Sequence, residues 1–459
     1  MLKKNELVTL EITDVTNEGN GVGRTEGITV FVPFTAVGDV IICRIVKAKK
    51  SYCYGITEKL LISSKSRCES GCEAYGKCGG CSLRHIEYSA ELEIKEKIVR
   101  NAFERIGGLS PDFEPIIGAS RVKKYRNKSQ FPVGTDSSGR VIAGYYAKRS
   151  HRVIPIESCP QLPDIFLLIC ADITAFANEN GIKAYDEQTG KGLLRHIFIR
   201  RGEYSGEIMA AVVVTSLNCK EKFKPLAGEL SKKYSELKSF ILNENDSGRN
   251  VILGQKSEAL YGSENIKDKM CGRELSISLN SFYQINTLQA GKLYAKAQEY
   301  AALTGSEALL DLYCGAGTIG LSMADKVKKL IGVEIVSDAV KNAKENAELN
   351  LISNAEFICS DAGEAAKLLY SRSEKPDVII ADPARKGCTP DTLKYMAQMN
   401  PERIVMISCN PATAARDCAA LEKLGYITQR VQAVDMFPRT CHVECVALCQ
   451  GQKEKVQKN

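Results

Sequence analysis

No stretch of this chain reaches the about 20 consecutive apolar residues that a membrane-crossing helix needs. The start, Met1-Leu2-Lys3-Lys4-Asn5-Glu6, lacks the apolar run of a signal peptide. Together these absences predict a cytoplasmic protein with no membrane partner. No internal repeat is visible, so solenoid architectures are excluded. At 44% hydrophobic residues the chain has enough apolar mass for a packed core, which excludes general disorder. Only the tail, Gly451 to Asn459, carries little structure signal. The 459 residues correspond to roughly three domains of about 150 each. In a cytosolic protein, cysteines a few residues apart point to metal binding or catalysis rather than disulfides, and there are 18 of them. Cys170, Cys314 and Cys359 lie in apolar surroundings and are expected to be small core residues.

Acids are nearly missing between Arg121 and Arg152. Asp136 stands alone against Arg121, Lys123, Lys124, Arg126, Lys128, Arg140, Lys148, Arg149 and Arg152. Tyr125, Tyr145 and Tyr146 are interleaved. Local charge of one sign with rings between suits a surface that tracks phosphates and stacks bases. The net charge of +7 is weak evidence by itself.

Three regions differ in texture. Residues 1–62 alternate as strands of a small β-barrel, with the Gly19, Gly21 and Gly23 turn between the first two. Lys47, Lys49, Lys50, Tyr52 and Tyr54 decorate a later strand, as in oligonucleotide-binding barrels. Residues 63–280 form a central region that opens with a cysteine-rich loop. A helix then runs from Tyr88 to Ile106, with Leu92, Lys95, Val99, Ala102, Phe103 and Ile106 at helical spacing and Gly107-Gly108 as its stop. That helix is expected to pack on the catalytic domain. The remainder reads as mixed and mainly β, with a hairpin joining 193–200 to 207–215. Residues 281–459 alternate strand and helix, which predicts an α/β doubly wound sheet. Its strands are expected at 308–312, 330–334, 355–359, 378–381, 403–408, 429–433 and 443–449, with a Ser-capped helix over 337–350.

In the first of these strands Leu309-Leu310-Asp311-Leu312 runs into Tyr313-Cys314-Gly315-Ala316-Gly317-Thr318. Gly315 and Gly317 let backbone approach a ligand at a strand's carboxyl end. The third glycine of a dinucleotide fingerprint is missing. Glu334 ends the next strand, where a carboxylate can accept both hydroxyls of a ribose, and Asp361 follows the third, near an adenine. S-adenosylmethionine therefore fits better than NAD. Asp382-Pro383-Ala384-Arg385 follows the fourth strand, where Asp382 is set to accept from a ring N–H. Adenine N-methyltransferases carry an aromatic residue where Arg385 stands, which argues against amino-group methylation.

Ser408-Cys409-Asn410-Pro411 follows the buried strand Arg403-Ile404-Val405-Met406-Ile407, and His442-Val443-Glu444 leads into the last strand. A nucleophile, a cofactor loop and a carboxylate on one sheet point to covalent catalysis. Carbon 5 of uracil is a poor nucleophile. A thiolate adding at carbon 6 makes the ring an enolate, carbon 5 takes the methyl group, and a base then removes its proton. Cys409 and Glu444 supply that pair, with Arg385 as a cation that favours the thiolate.

The cysteine loop lacks the second Cys-x2-Cys pair of a zinc ribbon. Cys72, Cys78 and Cys81 lie close in sequence, and the best fourth ligand is Cys159, with Cys68 a rival. Three-plus-one ligation suits a [4Fe–4S] cluster, with structural zinc as the alternative.

Taken together these residues resemble the iron–sulfur type of RNA uracil-5-methyltransferase, the bacterial 23S ribosomal RNA enzymes, over nearly the whole chain. The resemblance implies a TRAM domain for the barrel and the Cys72, Cys78, Cys81 and Cys159 cluster. It implies a class I methyltransferase domain opened by Ser281-Phe282-Tyr283-Gln284-Ile285-Asn286, with Gln284 a cofactor contact. Tyr313, Glu334 and Asp361 match cofactor positions, and Asp382 matches the boundary of cofactor and uracil. Ser408-Cys409-Asn410-Pro411-Ala412-Thr413 with Ala415-Arg416-Asp417 matches the nucleophile signature, and His442-Val443-Glu444-Cys445 the base signature. The chain departs from the family's Asp-Pro-Pro-Arg in having Ala384. The tRNA branch shares the catalytic signatures without barrel and cysteines, so 23S ribosomal RNA is the expected partner. No obligate protein partner is implied. The alternatives are a tRNA uracil-5-methyltransferase and a non-catalytic iron–sulfur RNA-binding protein.

Overall fold

The computed structural model describes residues 2–247 and 251–452; residues 453–459 of the low-signal tail lie outside it. The first five strands, Leu7–Val15, Asn20–Thr25, Ile28–Pro33, Val40–Ala48 and Tyr52–Ile62, close into a barrel. Alternation turns Leu10, Ile12, Val30, Val32, Ile41, Cys43 and Ile45 into its core. The wall is too tight for a side chain at Gly55, whose Cβ would sit 2.1 Å from Cys43 Sγ.

A loop of isolated bridges carries the cysteines to the helix Tyr88–Asn101, which continues as a π-helical turn over Ala102–Gly107 and stops at Gly108, φ 66°. Val99, Ala102 and Phe103 pack with Ala414, Ala415 and Cys418 on the catalytic domain. The wider winding of the π turn carries Ile106 off the apolar stripe, and it is 59% exposed. Lys95 lies on the stripe for another reason. Its ammonium donates to Glu91 at 2.7 Å and to Asp435 at 2.6 Å, all three side chains fully buried.

The next strand, Asp112–Ile117, departs from the expected partition. It lies within 63–280 by sequence yet forms the edge of the catalytic sheet, parallel to Tyr426–Val434. The central sheet proper has seven strands, in the order Lys256–Gly262, Leu237–Glu244, Ile208–Val214, Leu194–Arg201, Lys128–Thr135, Val141–Tyr146 and Val153–Pro155. Two helices that the sequence reading did not anticipate, Asp164–Glu179 and Lys220–Lys233, cover one face. Phe198, Met209, Ala211 and Ile241 on the other join the core under the catalytic domain. Burial on both faces explains the unbroken apolar run of Ile208–Val214.

The catalytic sheet runs Ala355–Cys359, Lys329–Glu334, Ala308–Leu312, Val378–Ala381, Arg403–Ser408, Glu444–Gly451, Tyr426–Val434 and Asp112–Ile117. Only Glu444–Gly451 runs antiparallel to its neighbours. This is the doubly wound architecture expected. The helix Ser337–Leu349 is not capped by Ser337: Val336 holds the cap position without a side-chain bond. Cys170 and Cys314 are buried as expected, whereas Cys359 at its strand's end is exposed. No helix among the described residues is long and apolar enough to cross a membrane.

Candidate active site

Parallel register brings the carboxyl ends of Ala308–Leu312, Lys329–Glu334, Val378–Ala381 and Arg403–Ser408 to one edge. The antiparallel last strand begins at that same edge. Ser408 pairs with Cys445, so the next step outward sets Cys409 against Glu444. Two segments far apart in sequence thus meet because one strand of the sheet is reversed.

The nucleophile turn is tightly held. Ser408 Oγ accepts from the Asn410 amide at 3.1 Å, and Asn410 caps the helix Pro411–Glu422. Asn410 Nδ2 donates to the Arg385 carbonyl at 3.0 Å. Arg416 reaches the carbonyls of Lys386 and Cys388, and Asp417 accepts from the Cys388 amide at 2.7 Å. The Ala415-Arg416-Asp417 segment therefore clamps the loop of Asp382 and Arg385 onto the turn of Cys409.

Electrostatically the site is a nest of buried acids. Burial pushes the half-buried Cys409 thiol up, and Glu444 and Asp382 push it further. The Arg385 guanidinium opposes them without prevailing, so the expected thiolate-favouring environment is corrected: the resting thiol holds its proton. Glu444 is raised by burial and then by Asp382, with Arg385 again opposing. Burial raises Asp382 as well.

The glycine turn begins with Tyr313 at φ 66° and continues through Gly315 at 56° and Gly317 at 81°. A Cβ on Gly315 would meet nothing within 4 Å, so an open cradle lies above it. One on Gly317 would press Leu321 and Ala343 at 3.0 and 3.2 Å; this glycine serves packing. Glu334 faces the turn, accepting from the Gly315 amide at 3.1 Å and the Val336 amide at 2.9 Å. Exposed Ile335 and Val336 follow it as an apolar ledge that the sequence reading missed. Buried Gln284 lies beside Tyr294, which also neighbours Thr318 and Asp382. Asp361 caps the helix Ala362–Ser371 through the amides of Gly363 and Glu364. The Tyr313 hydroxyl lies beside Cys388 and Thr392. Asp311 was also missed: fully buried, it is pushed up to about 7 by burial, with one oxygen on the Gly320 amide and the other unpartnered.

Cys72, Cys78, Cys81 and Cys159 line one cavity in the central region. Cys68 does not; its Sγ donates to the Arg84 carbonyl at 3.6 Å. Gly80 N–H donates to Cys78 Sγ at 3.3 Å and Gln161 Nε2 to Cys81 Sγ at 3.4 Å. Arg84 Nη1 and Arg126 Nε are buried without partners, and both residues line the cavity. Among the described residues, no three His, Cys, Asp or Glu side chains form a group fit to hold a metal ion.

The basic segment is only partly a surface. Tyr125 is 1% exposed and donates to the Pro438 carbonyl, and Tyr145 is tied to Ser129 at 2.6 Å. The Tyr125 ring is not free to stack, contrary to the expectation, whereas Tyr145 is half-buried and lines a surface cleft. Arg121 is paired with Glu203 and Lys124 with Asp164.

The family model described as tRNA (uracil-5-)-methyltransferase matches residues 87–452, and a TRAM domain model matches residues 2–57. The chain belongs to the RNA uracil-5-methyltransferase family. Within that S-adenosylmethionine-dependent family, a Bacillus cereus protein described as an uncharacterized RNA methyltransferase is 41% identical over 448 residues, 97% of each chain. A Clostridium tetani protein of the same description is 39% identical over 460 residues, 99% of each. Pyrococcus abyssi tRNA (uracil-54, C5)-methyltransferase, solved with S-adenosyl-L-homocysteine, is 28% identical. It has a TM-score of 0.77 and covers 96% of this chain and 99% of its own. That coverage leaves no room for the barrel to be unmatched. That match is to a tRNA enzyme, so the comparisons do not distinguish ribosomal from transfer RNA as the substrate.

Proposed function

We propose that the protein transfers a methyl group from S-adenosylmethionine to carbon 5 of a uridine in 23S ribosomal RNA through a transient Cys409–uracil bond. The observation that carries this reading is the reversed last strand, which sets Cys409 against Glu444 beside Asp382. The Cys409 thiol loses its proton to solvent, the thiolate bonds carbon 6, and the ring electrons move to the carbonyl as an enolate. Carbon 5 would form the new bond to the methyl carbon as the methyl–sulfonium bond breaks, the electron pair staying on sulfur as S-adenosylhomocysteine leaves. Glu444 takes the carbon-5 proton, the ring double bond returns, and the thiolate leaves. Asp382 would accept a hydrogen bond from the uracil N–H when ionised, and burial, which raises it, makes that pairing the more favourable once formed. When bound, S-adenosylmethionine supplies an electrophilic methyl group. Glu334 would take its ribose, the Gly315 cradle its approach to backbone, and Gln284 and Asp382 its methionine end. Tyr313, Gly317 and Asp361 would shape the pocket from behind. The target base must leave its stack to reach Cys409.

A second substrate, tRNA, is favoured by the Pyrococcus neighbour. Mapping 5-methyluridine in 23S ribosomal RNA and tRNA from cells with and without the gene tests both. Loss of a 23S signal is expected. Loss confined to tRNA moves the substrate, and loss from neither leaves the non-catalytic reading.

The cysteine cavity is proposed to hold a [4Fe–4S] cluster through Cys72, Cys78, Cys81 and Cys159. Two N–H donors on the thiols and two unpartnered arginine groups fit an anionic thiolate assembly. Four thiols on one cavity match the ligand count of a cluster and of a structural zinc alike. Methyl transfer needs no electron, so the role is structural. Gln161 bonds both Cys81 and the Pro438 carbonyl, and the Ser82 and Leu83 amides bond Arg439, in the loop that leads to Glu444. Anaerobically purified protein should hold about four iron and four sulfide per chain, with large losses in Cys159→Ser. Stoichiometric zinc without sulfide sinks the cluster.

A further inference from the structure

A cleft of about 730 Å³ opens on the central domain, outside the methyl-transfer site and next to the cysteine loop. Its size falls in the range of ligand sites, about 300 to 1,000 Å³. It takes up the end of the basic segment: Lys148 and Arg149 are exposed on its rim, with Arg149 3.8 Å from Glu18 of the barrel. Arg195 is held from below by the carbonyls of Asn245 and Ser247, both at 2.9 Å. Glu187 is the lone lining acid, and it is bonded to His151 at 2.7 Å. Tyr146 and His151 are stacked, centroids 5.1 Å apart and planes 17° from parallel.

His196 also lines the cleft. It is 8% exposed, and its Nδ1 has no hydrogen-bond partner. A buried polar atom without a partner is costly unless a ligand completes it. Burial, with Arg195, lowers the ring to about 4, so near neutral pH it is an uncharged imidazole. Such a ring presents one donor and one acceptor, which suits a base edge and not a phosphate.

We propose that this cleft is a second RNA subsite, which takes an unpaired nucleotide of the substrate at a distance from the target uridine. The Tyr146–His151 pair offers a face for stacking, His196 Nδ1 reads the base edge, and Lys148, Arg149 and Arg195 face the phosphates. The cysteine loop forms part of the wall. The Gly79 amide donates to the Tyr146 carbonyl at 3.1 Å, and Gly80 and Tyr145 border both cleft and cysteine cavity. The proposal rests on the reading of RNA as substrate but not on which uridine is modified.

The test uses full-length protein with two variants, His196→Phe, which keeps the ring and removes its nitrogens, and the surface pair Lys148→Ser with Arg149→Ser. RNA affinity is measured by filter binding on the whole substrate RNA and on a short hairpin holding only the target uridine. On the whole RNA each variant should bind about tenfold more weakly. The hairpin should bind all proteins alike, and kcat and the S-adenosylmethionine KM should stay at wild-type values. Unchanged affinity for the whole RNA in both variants overturns the proposal. Equal losses on RNA and hairpin also overturn it, because the cleft would then sense charge and not a separate nucleotide. Filter binding needs no methyl transfer, so failure of the uracil chemistry would leave this readout intact.

Discussion

Cys409→Ala should lose methyl transfer by a factor of at least about 10⁴ while keeping affinity for RNA and S-adenosylmethionine within about twofold. Alanine removes the thiol placed to bond carbon 6, and without that bond carbon 5 stays unreactive. The turn itself should survive, since it is held by Ser408, Asn410 and Pro411 and not by the thiol. Tritium release from RNA made with 5-tritiated uridine reads the step directly, because the carbon-5 proton leaves only after addition at carbon 6. Wild-type release by the variant would reject the covalent route. The same thiol sets a pH signature. Burial and two carboxylates hold it above its ordinary value, so the thiolate share grows as pH rises. Glu444, also raised, gains its basic form in the same direction. The rate should therefore climb from about pH 6 to about pH 9. Arg385 pulls the thiol down, so Arg385→Gln should move the climb to higher pH. A flat wild-type profile, or a shift to lower pH in the variant, contradicts this.

Much of this site was legible because its parts are local patterns. Apolar runs ending in Gly315-Ala316-Gly317 and in Ser408-Cys409-Asn410-Pro411 mark strand ends wherever they occur, and every strand expected after residue 308 is present. What escaped depends on pairings across long sequence distance. Asp112–Ile117 has no local sign that it will pair with Tyr426–Val434, and an edge strand contributes little periodicity of its own. Lys95 is a charge on an apolar stripe. It makes sense only once Asp435, far along the chain, is known to complete its shell. Tyr125 counted as a stacking ring because composition cannot tell an exposed ring from one facing inward. Asp311 escaped because one acid in an apolar strand reads as an interruption; here it lies beneath the glycine turn, accepting from the Gly320 amide. Charge sign was the hardest to read. Arg385 suggested an activated thiol and does pull it down, yet burial first, and then the two acids beside it, push the thiol up.

Glu444→Gln should trap the enzyme on its substrate. The amide keeps the size and most of the hydrogen bonding of the carboxylate but cannot accept the carbon-5 proton. Addition of Cys409 and methylation of carbon 5 both precede that proton's departure, so both should still occur. Elimination would then stall, leaving protein and methylated RNA joined through sulfur. A denaturing gel should show a slow band carrying both radiolabelled methyl and RNA, and multiple turnover should fall by about 10²- to 10⁴-fold. The burial of Glu444 sharpens the expectation. Only 4% of the residue is exposed, so bulk water has poor access to take over as base. Asp382 is the nearest rival, being close enough to raise Glu444 by its charge. If Asp382→Asn accumulates the adduct and Glu444→Gln turns over cleanly, the two roles exchange. In that case the reversed strand would serve to shape the pocket, and the base would come from the loop that Arg416 and Asp417 clamp in place.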